Sequence, residues 1–168
     1  MAVLTAFRHH AWATKGFIDA CSGLTAAQLD EPIAAIYGSV LDTLRHIVGA
    51  DTWYLWVVSD GHQGRGRQDD AALSFTDVRD LAVENAEGWE RLLKQVDLTD
   101  EDRDVVATRL DGTERHATLG VRLAQALHHG SDHRSQVATA LTHLGIEPPD
   151  LDVWSWGEAH GKSRSTPT

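Results

Sequence analysis

The feature that most constrains the fold is a long segment, residues 119–144, whose apolar residues recur at helical spacing. At about 100° per residue they form one stripe along the helix: Leu119, Leu123, Ala126, Gly130, Val137, Leu141 and Leu144. Gly145 ends the segment, and two prolines follow shortly after it. Because other elements must cover such a stripe, the segment predicts a helical bundle with the stripe facing its core.

Three other segments are typical of long helices. They cover residues 3–22, residues 39–60, and residues from Ser74 or Thr76 to 96, the two alternatives being candidate N-caps. Thr25 is a further N-cap candidate, for a short turn after the first helix. We therefore expect an all-α protein built as a four-helix bundle.

A short β-hairpin is expected between the third and fourth long helices. Residues 105–110 and 113–118 suit strands, and Asp111-Gly112 between them favours a type I′ turn. No linker divides the chain, so residues 1–160 are expected to form a single domain. The small, polar residues 161–168 predict a disordered tail.

Length, charge and cysteine content narrow the functional classes. The chain has 168 residues, 42% of them hydrophobic, which suits one globular domain with a sizeable core. A net charge of -10 argues against nucleic acids and anionic membranes as partners. The single cysteine, Cys21, excludes an internal disulfide, and we expect neither a signal peptide nor a membrane span. The expected location is the cytoplasm, and the expected partner is a small-molecule substrate.

Two histidines of the fourth segment have the spacing of a metal-binding pair. Side chains at i and i+4 lie on the same helical face, so His129 and His133 can bind one divalent metal. Zinc peptidases with this spacing have a glutamate after the first histidine as general base, whereas Gly130 stands here. His46, within an apolar part of the second long helix, is the natural third ligand. The alternative is a core histidine bonded to a carbonyl group.

Three stretches of the sequence together resemble the DinB/YfiT-like superfamily of metalloenzymes, namely residues 7–13, 37–50 and 129–136. The resemblance extends over nearly the whole chain and implies an up-down-down-up four-helix bundle that is often dimeric. It also implies that His46, His129 and His133 hold a divalent metal such as zinc or nickel. Characterised relatives are mostly thiol-dependent S-transferases or isomerases that use mycothiol, bacillithiol or glutathione.

Several neighbours of these histidines are candidates for supporting the metal or the substrate. Asp51 could orient a ligand imidazole or pair with Arg134. Trp53 could line the pocket above the third ligand or pack in the core. Arg134 could hold a carboxylate of a peptide-like thiol, or pair with an acidic residue on a neighbouring helix. Gln136 could bind a ligand imidazole or a backbone group. His10, where relatives often have asparagine, could add an imidazole near the pocket or pack elsewhere.

These features predict a metal-dependent transferase that activates a low-molecular-weight thiol for attack on an electrophilic small molecule, as in detoxification. Cys21 is expected to be a small buried hydrophobe, so the thiol would come from outside the protein. The alternatives are a metal-binding module without catalysis and a metal-dependent hydrolase, whose base could only be Asp51 or Asp132. The wide apolar arc of the second long helix, near Trp56, predicts a homodimer.

Overall fold

The computed structural model describes residues 2–34, 36–66, 70–108 and 111–166, and these are mostly helical. In chain order the elements are α1 (Ala2–Cys21), α2 (Ala26–Asp30), α3 (Val40–Val58), a 3-10 turn (Asp70–Ala72), α4 (Phe75–Gln95), β1 (Asp104–Thr108), β2 (Glu114–Thr118), α5 (Leu119–His143) and α6 (Val153–Ala159). The four long segments of the sequence analysis correspond to α1, α3, α4 and α5. The sequence analysis does not include α6, although Asp152 caps it by accepting from the Ser155 amide, a pattern that marks a helix start.

Reciprocal caps explain where α2, α3 and α4 begin. The Ser39 hydroxyl accepts a hydrogen bond from the Asp42 amide, and the Asp42 carboxylate accepts one from the Ser39 amide. Ser74 and Asp77 repeat this arrangement at α4, so Ser74 is the cap. Thr25 caps α2 in the same way. Each pair satisfies amides that the first turn of a helix leaves without an intrahelical partner.

The four long helices bury their apolar residues against one another. Both α1 and α3 pack against α4 and α5. One buried apolar cluster includes Ile18, Leu44, Ile47, Val78, Val137 and Leu141. A second cluster includes Phe7, Leu55, Trp89, Leu119 and Leu123. Between these positions, in the middle of the same helices, lie buried polar side chains: His10, Thr14, Asp51, Asn85 and Arg134. The core is therefore apolar toward its ends and polar in its middle, where the candidate site lies.

The two strands form the predicted hairpin before α5. They pair antiparallel, with Asp104 opposite Thr118 and Thr108 opposite Glu114. Side chains of β1 alternate between exposed and buried, and its buried face adds to the second apolar cluster. The pairing of Thr108 with Glu114 leaves residues 109–113 between the strands, whereas a two-residue type I′ turn at Asp111-Gly112 would pair Thr108 with Arg115. The register therefore differs from the one that this turn predicts. Residues 109 and 110 lie outside the described residues.

The chain after α5 returns to α1. The last helix, α6, packs against α1 and buries Trp156, while Trp154 on the same helix is exposed. The backbone amide of Lys162 donates to the Gly157 carbonyl, and the hydroxyl of Ser163 donates to the Trp154 carbonyl. Disorder of the tail stays a prediction. Across the described ranges, no helix has the combination of length and apolar character that spanning a bilayer would require.

Candidate metal centre

Three imidazoles from two helices converge on one point. His46 extends from the first half of α3, while His129 and His133 extend from successive turns of α5. Each offers one ring nitrogen, and these nitrogens all lie within 4.8 Å of one another. Nε2 of His46 is 3.0 Å from Nε2 of His129. The structure thus brings together the three histidines that the sequence analysis selected.

The spacing of these nitrogens suits a single divalent metal. Metal–nitrogen bonds of about 2.0–2.1 Å place two imidazole nitrogens of a tetrahedral site about 3.3 Å apart. The contact between His46 and His129 is close to that separation. A hydrogen bond between two imidazoles would have a similar length. It would not explain why the ring of His133 also lies beside both other imidazoles.

The environment of His46 and His129 favours the neutral form of these two imidazoles, which is the form that binds metals. All three rings are half-buried. Burial, and then the neighbouring His133 and His46, lowers the pKa of His129 to about 4. Burial followed by His133 also lowers the pKa of His46. Lone pairs are therefore available at neutral pH without prior loss of a proton.

Gln136 fixes which nitrogen of His133 faces the centre. Its Oε1 accepts a hydrogen bond from the backbone amide of Tyr37, so this oxygen points toward His133 as well. Nδ1 of His133 lies 3.1 Å from the same oxygen and must be the donor. A neutral His133 with its proton on Nδ1 has its lone pair on Nε2, ready for a metal. Both roles considered for Gln136, binding an imidazole and binding a backbone group, occur together.

Two tyrosines form aromatic walls around the imidazoles. The ring of Tyr37 stacks on His46 with a centroid distance of 4.2 Å and contacts the edge of His133 at 5.9 Å. Tyr54 meets His129 at 5.7 Å. Trp53 packs against Tyr54 and the second apolar cluster. Neither tyrosine is among the predicted site residues. The one sequence feature that pointed to Tyr37 is its position at the start of the family-like stretch 37–50.

A buried polar network lies directly behind the metal-binding face of α5. Nη1 of Arg134 donates to Nδ1 of His10 and to the hydroxyl of Thr14. Because arginine only donates, His10 carries its proton on Nε2, which lies 3.3 Å from Oδ1 of Asp51. The same carboxylate oxygen accepts from Nε1 of Trp89. The network joins three helices to α5 at the level of the histidines.

Burial decides what Arg134 and Asp51 can do. Arg134 is 6% exposed, and burial lowers its pKa to about 10, an effect that the Asp51 carboxylate opposes. A guanidinium turned into the core toward α1 is out of reach for a cofactor's carboxylate. Asp51 has no hydrogen bond to His129 among the described contacts, although its charge raises the pKa of that imidazole. Asp51 is thus the buried counter-charge of Arg134.

Gly130 is where this network meets α5. A Cβ on Gly130 would lie 2.3 Å from Cε1 of His10 and 3.0 Å from Nη1 of Arg134. A glutamate therefore has no room at the position that provides the base in zinc peptidases. Among the described residues next to the histidines, Asp132 is exposed on the outside of α5.

Other candidate nucleophiles and ligands lie away from the centre. Cys21 is fully buried, and burial raises the pKa of its thiol to about 12. His128 is exposed, although it neighbours His129 in sequence. His9 contacts the Leu151 carbonyl through Nε2, and His160 stacks on Trp156. These side chains have structural contacts of their own and leave the three histidines as the site.

A cleft opens beside the histidines. It has a volume of about 370 Å³ and is lined by Tyr37, Gly38, Asp42, Arg45, His46 and Ala71. One of the three imidazoles therefore forms part of a cleft wall that a small molecule can reach.

Known proteins resemble this chain in sequence and fold. The family model described as DinB family matches residues 1–163. Among solved structures, that of a DinB-like protein, YjoA from Bacillus subtilis, aligns with a TM-score of 0.65 at 16% sequence identity. The alignment covers 90% of this chain and 99% of that one. No curated protein matches the chain. At this identity the structural likeness establishes the fold, and the chemistry must be argued from the site.

Proposed function

The chain belongs to the DinB family, and from that membership and the histidine centre we propose that it is a metal-dependent thiol transferase. In this proposal His46, His129 and His133 hold a divalent metal, zinc or nickel. The substrates are a low-molecular-weight thiol, of the mycothiol, bacillithiol or glutathione type, and an electrophilic small molecule. The reaction breaks the S–H bond of the thiol and joins its sulfur to the electrophilic carbon. The proton passes to solvent, and the carbon compound releases a leaving group or, where it has an activated double bond, takes up a proton.

The observation that carries the proposal is a cluster of three converging imidazoles, one of which lines an open cleft. Structural zinc is usually closed by four protein ligands, whereas catalytic sites use three and leave a position open. A divalent metal held there acts as a Lewis acid that lowers the pKa of a thiol or a water.

The surrounding side chains hold the imidazoles in place. Gln136 orients His133 through the Nδ1 contact, and the stacked ring of Tyr37 shields His46 from solvent on one side. Arg134, through its bonds to α1, ties down the turn of α5 that carries His133. A rigid ligand set favours one metal geometry, which is what a site needs to bind substrates in a defined orientation.

Thiol chemistry fits this site better than hydrolysis does. A hydrolase needs a general base within reach of the attacking water. Gly130 offers none, Asp132 is exposed, and Asp51 is buried and accepts from Nε1 of Trp89. A thiol that loses its proton on binding needs no such base. Cys21 is buried, so the sulfur must come from a second molecule.

Metal content measured by plasma mass spectrometry on untagged protein tests the proposal. We expect near-stoichiometric zinc or nickel in the native protein and none in a His133→Ala variant. His128→Ala is the matched control, because it removes an exposed imidazole from the same helix and should leave the metal in place. Thiols would then be titrated against the cobalt-substituted protein, whose visible spectrum reports a change in metal coordination.

The outcomes separate the candidate functions. A tightly bound metal whose spectrum changes with a thiol supports the transferase. A tightly bound metal whose spectrum does not change when thiols are added would indicate a metal-binding module without transferase chemistry. Absence of metal from the native protein, even after reconstitution, would overturn the proposal.

We also propose that α1, α3, α4 and α5 form an up-down-down-up bundle. The support for this proposal is that the core consists of two apolar clusters, each built from one end of every long helix. The first cluster takes the late residue Ile18 of α1, the early residues Leu44 of α3 and Val78 of α4, and the late residue Leu141 of α5. The second cluster takes residues from the opposite ends of these helices. Such a division is expected when α3 and α4 run opposite to α1 and α5.

A further inference from the structure

Arg45 lines the same cleft as His46, and its guanidinium bonds to Asp42, another residue of the cleft wall. We propose that Arg45 binds a carboxylate of the substrate, and so selects substrates that carry an anionic group beside the reacting sulfur. The inference rests on the proposed function, because it names the chemical class that the histidine site would take.

Arg45 is held rigidly, as a recognition residue should be. Its Nε donates to the Leu73 carbonyl at 2.7 Å, and Nη1 donates to Oδ1 of Asp42 at 3.3 Å. The side chain is 19% exposed, so most of its length is fixed against the protein. These bonds use Nε and Nη1, and no bond of Nη2 is found among the described residues. A cation placed in advance loses little conformational freedom when it binds an anion.

The donors around the cleft, rather than its net charge, favour an anion. The charge of Arg45 is formally balanced by Asp42, with which it pairs. Asp42 also accepts from the amide and hydroxyl of Ser39, so this carboxylate is fixed in place and holds the guanidinium. The amino end of α3 begins at the same cleft and adds positive partial charge.

The positions of Arg45 and His46 limit the size of the substrate. The two residues are consecutive in α3, and both line the same cleft of about 370 Å³. The inference therefore favours a small molecule whose thiol and carboxylate are a few bonds apart. Bidentate binding of a carboxylate is the interaction for which arginine is best suited.

Three thiols that differ only in their second group test this inference: 3-mercaptopropionate, 2-mercaptoethanol and 2-aminoethanethiol. Each would be titrated into the cobalt-substituted protein while the visible spectrum is recorded. We expect 3-mercaptopropionate to bind more tightly than 2-mercaptoethanol, and the amine to bind most weakly. In an Arg45→Gln variant the preference for the carboxylate should fall about tenfold, the effect of one charge-assisted hydrogen bond.

Two further variants keep the result interpretable. Arg91→Gln removes an exposed arginine that pairs with Glu87 on α4, and should leave the preference unchanged. Arg45→Lys retains the charge without the planar guanidinium, and should keep part of the preference. Equal metal content in all variants, measured first, shows that the histidine centre is intact.

The outcomes distinguish this inference from the proposed function. Thiols that bind without a carboxylate preference, or a preference that survives in Arg45→Gln, would overturn the role of Arg45 alone. If no thiol changes the spectrum, the proposed function fails, and sodium propionate titrated into the metal-free protein then decides on Arg45. A saturable shift of the Arg45 Nε–H resonance, which the Leu73 bond protects from exchange, would retain the anion site. If propionate causes no shift of this resonance, the anion site at Arg45 is ruled out.

Discussion

The imidazole of His10 occupies the space beside Gly130 in which any other residue would place its Cβ. A Cβ on Gly130 would lie 2.3 Å from Cε1 and 2.8 Å from Nδ1 of this ring. The glycine between the two α5 histidines is therefore a packing requirement, which lets α1 approach α5 closely enough for His10 to reach Arg134. The missing glutamate of the peptidase pattern has the same cause.

Gly130→Ala should destabilise the protein, although alanine is normally the better residue inside a helix. The usual gain is about 1 kcal/mol, but overpacking against the buried His10 should outweigh it and lower the free energy of unfolding by about 1–3 kcal/mol. Urea unfolding measures the difference. Gly120→Ala, on the same helix with only ordinary contacts to Glu101, is the control and should not destabilise. Equal effects at both positions would contradict this account.

Asp51→Asn should be destabilising even though asparagine has nearly the same shape. The amide oxygen can still accept from Trp89, but Arg134 would lose its buried counter-charge. The two charges are not in direct contact, because His10 lies between them, so the expected loss is about 1–3 kcal/mol, the range for leaving a buried polar group without its partner. Asp132→Asn, an exposed aspartate on α5, should change the unfolding free energy by less than about 0.5 kcal/mol. If chemical denaturation gives similar values for both variants, the network contributes little.

Gln136→Leu should weaken zinc binding while leaving the three ligands in place. Without Oε1, His133 loses the contact that keeps its proton on Nδ1 and its lone pair on Nε2. Loss of such a partner typically lowers metal affinity about 10- to 100-fold. Competition with a chromophoric chelator measures the affinity. Gln136→Glu keeps an acceptor oxygen and should bind zinc more tightly than the leucine variant; the reverse order would refute the role assigned to Gln136.

The sequence predicts local features of this protein well and its tertiary contacts only in part. The i, i+4 relation of His129 and His133, the caps and the hairpin depend on neighbours in the chain, so pattern alone is sufficient. His46 lies in a different helix, and its selection depended on apolar context and on the family resemblance. The contact of His10 with Arg134 joins residues that only the packing of whole helices brings together. The stacking of Tyr37 on His46 depends on how the loop before α3 folds back onto that helix. No local pattern encodes them.

Glu90 should contribute to stability at neutral pH and lose that contribution in strong acid. A hydrogen bond from Arg8, and then one from Lys94, lowers the pKa of Glu90 to about 2. A lowered pKa means that the stabilisation is fully present above the ordinary value of 4.5 and disappears as the pH falls toward 2. The difference in unfolding free energy between native protein and Glu90→Gln should follow that course.

The size of this effect should be small, because both partners are partly exposed and solvent screens them. Glu87→Gln, which removes an exposed i, i+4 pair with Arg91, should show a weaker pH dependence. A Glu90→Gln difference that remains unchanged down to pH 2 would contradict the assigned ion pair.

We expect the protein to be a homodimer through α3. Most of the apolar arc of this helix is buried within the chain, but Trp56 remains 39% exposed. Sedimentation at micromolar concentration should give twice the mass of the chain, and Trp56→Asp should shift it toward the monomer. Val83→Asp, at an exposed apolar position on α4, should leave the dimer intact. A monomeric native protein would rule out the interface.

The complete burial of Cys21 has a consequence for the proposed function. Its thiol is the only one in the chain, is 0% exposed, and burial raises its pKa to about 12, so almost none of it is ionised at neutral pH. Under that proposal, an electrophile bound at the histidine centre would meet no accessible thiolate of the protein. The chain itself would then not compete with the second molecule that supplies the sulfur.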